Sequence, residues 1–167
     1  MIPLEIERKF LIVRPREEEL ERLEGCIRYA IVQTYLRSQP GIDERVRMRS
    51  TGNRVEYFHT CKQHLSPMVR TEEETVIDEM AYTAYLDRAD PAYSSLEKTR
   101  FCIPYAGQML EIDVYPSMHS EAILEIELPT EDTPVSLPPF LEVIKEVTGD
   151  KQYSNRRMAK KHSHREE

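Results

Sequence analysis

A chain of 167 residues suits a single domain and is long enough to bury a hydrophobic core. Its composition, 40% apolar and 32% charged, is typical of a soluble globular protein and excludes a disordered chain. The net charge of -7 excludes a general nucleic-acid surface, and no apolar run reaches the ~20 residues of a membrane span.

The cysteines and the N-terminus predict a cytoplasmic location. Cys26, Cys61 and Cys102 are odd in number and widely spaced, which is typical of reduced thiols and not of disulfides or a zinc site. The chain begins directly with a strand pattern that carries acidic residues, so no signal peptide is predicted.

The spacing of apolar and polar residues predicts eight strands and four helices in one domain, residues 1–161, followed by a polar tail, 162–167. Turn signals such as Gly52-Asn53 and a proline-rich linker, 129–139, separate the elements. Because most connections are short, the strands favour an antiparallel sheet that can close into a barrel, an α+β and mainly β fold. In chain order we predict strand 3–13, helix 16–24, strands 27–38, 44–50, 55–62 and 68–77, helix 78–88, strands 93–103, 108–115 and 121–128, and helices 140–148 and 155–161.

Charged residues recur at every second position of these strands, which places them on one face. The first strand begins the pattern with Glu5, Glu7 and Lys9. Two interpretations remain open. The charged face meets solvent, as in a one-layer sheet, or it lines the interior of a barrel whose apolar outer wall is covered by helices. Dyads of both signs and the frequent use of arginine favour the interior.

A charged lumen of this kind would suit one chemistry. Clustered arginine and lysine donors bind phosphate oxygens, and one arginine can bind two oxygens at once. Clustered carboxylates hold hard divalent ions such as Mg2+ or Mn2+, which also bridge to phosphate. The two halves together would hold a polyphosphate with its metal.

The opening Glu5-Ile-Glu-Arg-Lys9 resembles the E-x-E-x-K signature of the CYTH superfamily, the triphosphate tunnel metalloenzymes. The resemblance continues in order along almost the whole chain, and the segment from Thr148 to Asn155 is similar to the C-terminal segment of the small bacterial inorganic triphosphatases. One such motif would be weak evidence, whereas the ordered set is specific. The other matching motifs are Gln33-Thr-Tyr35-Leu36, Arg45-Val-Arg47, Thr60-Cys-Lys62, Arg70-Thr-Glu72-Glu-Glu74, Lys98-Thr-Arg100, Glu111-Ile-Asp113 and Glu125-Ile-Glu127.

The resemblance implies a closed eight-stranded antiparallel tunnel with a charged lumen and helices on the outside, which hydrolyses a triphosphate with Mg2+ or Mn2+. It implies that Tyr35 and Lys62 assist the attacking water or the leaving group, and that Glu111 lies in or next to the metal site. The implied metal ligands are Glu5, Glu7, Asp113, Glu125 and Glu127, and the implied phosphate-binding residues are Lys9, Arg45, Arg47, Lys62, Arg70, Lys98 and Arg100.

The resemblance and the compact length favour inorganic tripolyphosphate as the substrate, cleaved to pyrophosphate and phosphate. Three alternatives stay open: a thiamine or nucleoside triphosphatase, a class IV adenylyl cyclase, and a non-catalytic protein that binds polyphosphate or nucleotide. The expected partner is a small-molecule triphosphate, with neither nucleic acid nor membrane, and a homodimer is allowed.

Several residues near these motifs have simpler interpretations. His59 and His64 lie beside Lys62 but lack a third ligand at metal-binding spacing, so no histidine metal site is predicted. Arg49 shares the phase of the neighbouring arginines, and whether it reaches substrate stays open. Lys151 either reaches the tunnel mouth or caps the preceding helix.

Overall fold

Nine strands and three short α-helices make up the part of the chain that the computed structural model describes, residues 3–161. The predicted tail, 162–167, lies outside the described residues. The elements are β1 (Leu4–Val13), α1 (Glu17–Glu21), β2 (Ile27–Tyr35), β3 (Ile42–Thr51), β4 (Arg54–His64), β5 (Val69–Ile77), α2 (Glu79–Leu86), β6 (Leu96–Tyr105), β7 (Gln108–Val114), β8 (Glu121–Glu127), β9 (Val143–Glu146), a 3-10 turn (Lys151–Tyr153) and α3 (Asn155–Ala159).

The first eight strands form a closed antiparallel barrel, which confirms the predicted fold class. The hydrogen-bonded order is β5-β4-β3-β2-β6-β7-β8-β1, and β1 closes the ring by pairing with β5 as well. Closure is short, since only Leu4 to Ile6 of β1 face β5, at Thr71 to Val69. The remainder of β1, Glu7 to Val13, pairs along its other edge with β8.

The predicted helix 140–148 is wrong, because the segment forms strand β9 on the edge of β1 that β5 leaves free. Phe10 pairs with Glu146 and Ile12 with Val143, and the Val147 N–H donates to the Lys9 carbonyl at 2.8 Å. The buried backbone of β1 needs hydrogen-bond partners beyond Ile6, and β9 supplies them. This tertiary requirement overrides the local helical spacing of the segment.

Apolar side chains cover the outer wall of the barrel. Leu20 of α1 and Leu141 pack there on residues such as Phe10 of β1 and Phe101 of β6. Tyr82 of α2 packs on a second outer patch that includes Val46. Helix α1 is shorter than the predicted 16–24, and Leu20 is its buried anchor.

Helix α3 lies at one end of the barrel and not on its outer wall. Ala159 packs there with Leu11, Tyr35 and Tyr115, residues whose strand phase points them into the barrel. No helix within the described range is long and apolar enough to span a membrane.

The charged face lines the interior, which settles the two interpretations left open by the sequence. Because the outer face is apolar and covered by helices and loops, the alternate face of each strand has to point inward. The buried charged residues are Glu5, Arg45, Arg47, Lys62, Lys98, Asp113 and Glu125.

Candidate active site in the barrel lumen

A first group of charges joins β1, β4 and β5. Lys62 Nζ lies 3.0 Å from Glu5 Oε2, and Arg70 Nη2 lies 2.7 Å from Glu5 Oε1 and also binds Glu7. Burial would raise the pKa of Glu5, but Lys62 and Arg70 outweigh it and lower that pKa to about 2. Glu5 is therefore a carboxylate held between two cations.

A second group joins β6, β7 and β8 deeper in the barrel. Lys98 Nζ lies 2.8 Å from Asp113 Oδ2, and both side chains are fully buried. Arg100 donates to Asp113 Oδ1 at 2.7 Å and also contacts Glu111 at 2.8 Å and Glu125 at 3.4 Å. The pKa of Asp113 falls to about 2, because Arg100 and Lys98 outweigh the effect of burial.

The end of the chain joins this second group through Asn155 of α3. Tyr115 donates to Asn155 Oδ1 at 2.5 Å, and Lys98 donates to the same oxygen at 3.3 Å. Sequence reasoning assigned no role to these two residues. Two signals in the sequence could have identified them. Tyr115 lies two residues after Asp113 and therefore on the same face of the predicted strand, and Asn155 ends the segment that begins at Thr148.

Arg45 and Arg47 differ from the other lumen cations because no carboxylate lies within 4.0 Å of either, among residues 3–161. Their Nε atoms are buried and lack hydrogen-bond partners, while Arg47 Nη2 donates to Gln33 Oε1 at 3.3 Å. Burial, together with the neighbouring charges of Arg45 and Arg100, lowers the pKa of Arg47 to about 9. Buried cations without anions form a preformed site for an anionic ligand.

Carboxylates crowd together where β1, β7 and β8 meet. Glu7 pairs in register with Glu127, and Glu125 pairs with Glu111. Burial and the nearby charges of Glu125 and Glu5 outweigh the opposing effect of Arg70 and raise the pKa of Glu7 to about 8. Glu125 Oε1 is buried without a hydrogen bond, since Lys9 Nζ lies 3.4 Å away in a poor orientation.

This donor set fits a hard divalent cation. All its ligand atoms are carboxylate oxygens, the type that Mg2+ and Mn2+ prefer, and an oxygen lacking a partner is available. Partial burial raises the pKa of Glu127, and the charge of Glu5 raises it as well. Burial also raises the pKa of Glu111. A cation here would relieve the repulsion that shifts these groups.

Tyr35, Arg49 and Lys151 each occupy a different environment in the structure. Tyr35 is buried at the end of the barrel where α3 lies, and its hydroxyl accepts from Gln33 Nε2 at 3.3 Å. Among the described residues, no hydrogen bond joins it to Lys62. Arg49 pairs with Glu56 and lies over aromatic rings, so its charge is already satisfied within the protein. Lys151 is exposed.

The lumen opens into a cavity of about 580 Å³. Glu7, Lys9 and Arg70 connect this cavity with the tunnel interior, and Lys151 and Lys160 line its outer part. Lys151 therefore lies at the tunnel mouth, one of its two predicted positions.

These features define a class: a closed β-tunnel whose interior offers cations for an anion and carboxylates for a metal. No protein-family model matches the chain. The inorganic triphosphatase of Nitrosomonas europaea is 34% identical over 162 residues, which are 93% of this chain and 96% of that protein. The chain belongs to the family of that relative, the CYTH-type triphosphate tunnel proteins.

Solved structures agree with this assignment. The crystal structure of an inorganic triphosphatase matches with 29% identity and a TM-score of 0.56, covering 95% of each chain. A Hippeastrum protein, an adenylyl cyclase by name with a dominant triphosphatase activity, matches with 15% identity and a TM-score of 0.55. It covers 75% of this chain and 80% of its own, and it supports the fold alone.

Proposed function

We propose that this protein hydrolyses a triphosphate with a divalent metal, and that inorganic tripolyphosphate is its preferred substrate. The observation that carries the proposal is the pair of buried arginines, Arg45 and Arg47, which lack a carboxylate partner. A fully ionised tripolyphosphate would supply the missing negative charge. The name of the Nitrosomonas europaea relative supports the same activity.

Binding would exchange internal ion pairs for contacts with the ligand. Lys62 and Arg70 leave Glu5 for phosphate oxygens, and Glu5 becomes available to the metal. Hydrolysis of a phosphoanhydride needs positioning and neutralisation of charge more than covalent chemistry. The residues proposed to hold the phosphates are Lys9, Arg45, Arg47, Lys62, Arg70, Lys98 and Arg100.

The proposed metal ligands are Glu5, Glu7, Asp113, Glu125 and Glu127, with Glu111 beside them. When bound, Mg2+ or Mn2+ supplies positive charge that polarises a phosphoryl oxygen and makes water a better nucleophile. Asp113 ligates only if Lys98 or Arg100 releases one of its oxygens, since both are occupied.

The proposed roles of Tyr35 and Lys62 follow from the side chains that each of them contacts in the lumen. Lys62 lies beside Glu5 and can donate to the leaving group or to water. The Tyr35 hydroxyl accepts from Gln33 and can orient a phosphate oxygen or water beside it.

The test is phosphate release from tripolyphosphate, ATP, thiamine triphosphate and pyrophosphate, each with Mg2+, Mn2+ or chelator. We expect metal-dependent release that is fastest with tripolyphosphate. Faster release from ATP or thiamine triphosphate would keep the mechanism and assign an organic substrate, whose organic group would occupy the mouth cavity. Tight binding without turnover would indicate a sensor and contradict the proposal.

The Glu5→Gln substitution tests the metal site. It keeps the size of the side chain but removes a charge, and we expect turnover to fall on the order of 10²-fold or more. Glu18→Gln, on the exposed face of α1, is the matched control and should leave turnover unchanged. Full activity of Glu5→Gln would refute the metal assignment.

A further inference from the structure

The outer wall of the barrel carries a cluster of metal-ligating side chains that is separate from the lumen. Glu44 of β3 pairs in register with Cys61 of β4, and Val46, two residues on, pairs with His59. Glu44, His59 and Cys61 therefore share the outer face of one hairpin. Their ligand atoms all lie within 4.8 Å of one another, and all three residues are half-buried.

Neighbouring residues hold two of these ligands in place. His59 Nε2 lies 2.8 Å from Glu44 Oε1, while Arg88 donates to the other oxygen, Oε2, at 2.9 Å. The His59 ring stacks on Tyr85 of α2, with centroids 4.5 Å apart and planes at 16°. Support of ligand atoms by a surrounding layer of contacts is typical of metal sites.

The donor types select the metal. One thiolate, one imidazole and one carboxylate suit Zn2+ and similar borderline ions, with a fourth position left for water. The ligands that we propose in the lumen are all carboxylate oxygens, which suit Mg2+ or Mn2+. The two sites would therefore take different ions.

The local charge balance allows a dication. Glu44 and the Cys61 thiolate contribute negative charge, Glu73 lies opposite Cys61 on β5, and Arg88 opposes them. Burial raises the pKa of the Cys61 thiol, and Glu44 and Glu73 raise it as well. The free thiol therefore carries a proton, which a bound metal would release.

We propose that Glu44, His59 and Cys61 form a binding site for Zn2+ or a similar transition-metal ion on the outer face of the β3–β4 hairpin. The inner face of the same two strands carries Arg45 and Lys62. An ion bound outside would cross-link the two strands that present these cations to the lumen.

Co2+ is the probe for this site, because a thiolate ligand gives cobalt a near-ultraviolet charge-transfer absorption that oxygen ligands cannot produce. Metal-free full-length protein is titrated with Co2+, and we expect this absorption to saturate at one equivalent. Added Zn2+ should abolish it by displacement. Absence of the absorption would overturn the proposal and leave His59 and Glu44 as an ordinary ion pair.

Two cysteine variants assign the signal. Cys61→Ser should lose the absorption, whereas Cys102→Ser should keep it, although Cys102 pairs with Glu111 and is the thiol next to the lumen carboxylates. The opposite result would overturn the proposal. Melting of each metal-free variant checks folding, and His59→Ala, which retains all three thiols, should weaken the absorption if Cys61→Ser does not fold.

The Co2+ absorption tests the outer site independently of the proposed hydrolytic function. Glu127→Gln alters the proposed lumen site and should keep the Co2+ absorption unchanged. Loss of the absorption in Glu127→Gln would place the ion in the lumen and contradict the outer site.

Discussion

At the scale of single residues, the lumen contains two kinds of buried cation. Lys98 and Arg100 share Asp113 and are satisfied within the protein. Arg45 and Arg47 have no such partner among the described residues and keep their charge at an energetic cost. A cost of this kind is typical of positions retained for function.

The Arg47→Met substitution should therefore stabilise the protein and lower its catalytic activity. Removing a buried charge leaves no carboxylate unpaired, so we expect the free energy of unfolding to rise by roughly 1 kcal/mol. We expect kcat/KM for the triphosphate to fall on the order of 10²-fold. Denaturant unfolding and steady-state kinetics measure the two effects, and a clear loss of stability would contradict the argument.

The Lys98→Met substitution should have the opposite effect on stability. It leaves Asp113 buried with Arg100 as its remaining ion-pair partner, and breaking a buried pair costs about 3 kcal/mol. Lys145→Met, at an exposed position of β9, is the control and should change stability by less than about 0.5 kcal/mol. Equal unfolding midpoints for the two variants would show that the Lys98–Asp113 pair contributes nothing.

At the scale of elements, the segment after β8 completes the tunnel. Strand β9 pairs with β1 where β5 ends, and the Thr148 hydroxyl accepts from the Lys9 N–H at 2.9 Å. Helix α3 then packs Ala159 against the inward-pointing side chains of Leu11, Tyr35 and Tyr115 and brings Asn155 to Lys98. The end of the chain thus supports the lumen from outside the ring of eight strands.

The Ala159→Asp substitution tests the docking of α3. A carboxylate at this buried position would have no partner, so we expect a loss of about 3 kcal/mol or more and detachment of the helix. Turnover should fall as well, because Asn155 would leave Lys98 and Tyr115. Arg157→Asp, on the exposed side of α3, is the control; a similar loss there would mean that charge, and not packing, matters.

At the scale of the whole molecule, most charges of the free tunnel pair with one another, and Arg45 and Arg47 are the exceptions among the described residues. The acids that we propose as metal ligands are paired with bases that we propose to bind phosphate, as in Glu5 with Lys62 and Arg70. A metal ion that bound alone would leave the bases without partners, and a triphosphate that bound alone would leave the acids without partners. Both together replace each half of the internal network, so their binding should be positively coupled.

Thermal melting measures this coupling. Using a tripolyphosphate analogue with imido bridges to prevent turnover, we expect small shifts with Mg2+ or analogue alone. In the presence of Mg2+, the analogue at about 100 times its Kd should raise the Tm by roughly 5–10 °C. The control is Glu18→Gln, which should behave as the unmodified protein does, and strictly additive shifts would argue against an exchange of ion pairs.

Much of this architecture could be predicted from the sequence. Alternating charges such as Glu5, Glu7 and Lys9 identified one face of each strand, because side chains in a strand alternate strictly between two faces. The family resemblance followed from the same residues, and all eight predicted barrel strands are present, whereas their order in the sheet was not predicted.

Only the tertiary structure decided which face points inward and how the charges pair. Periodicity is the same for a charged lumen and a charged exterior, and the apolar outer wall under α1 and α2 made the difference. Segment 140–148 became a strand because β1 lacked a partner, a fact outside the segment itself. The unpaired state of Arg47 and the meeting of Glu44 with Cys61 depend on strand register, which local sequence does not encode.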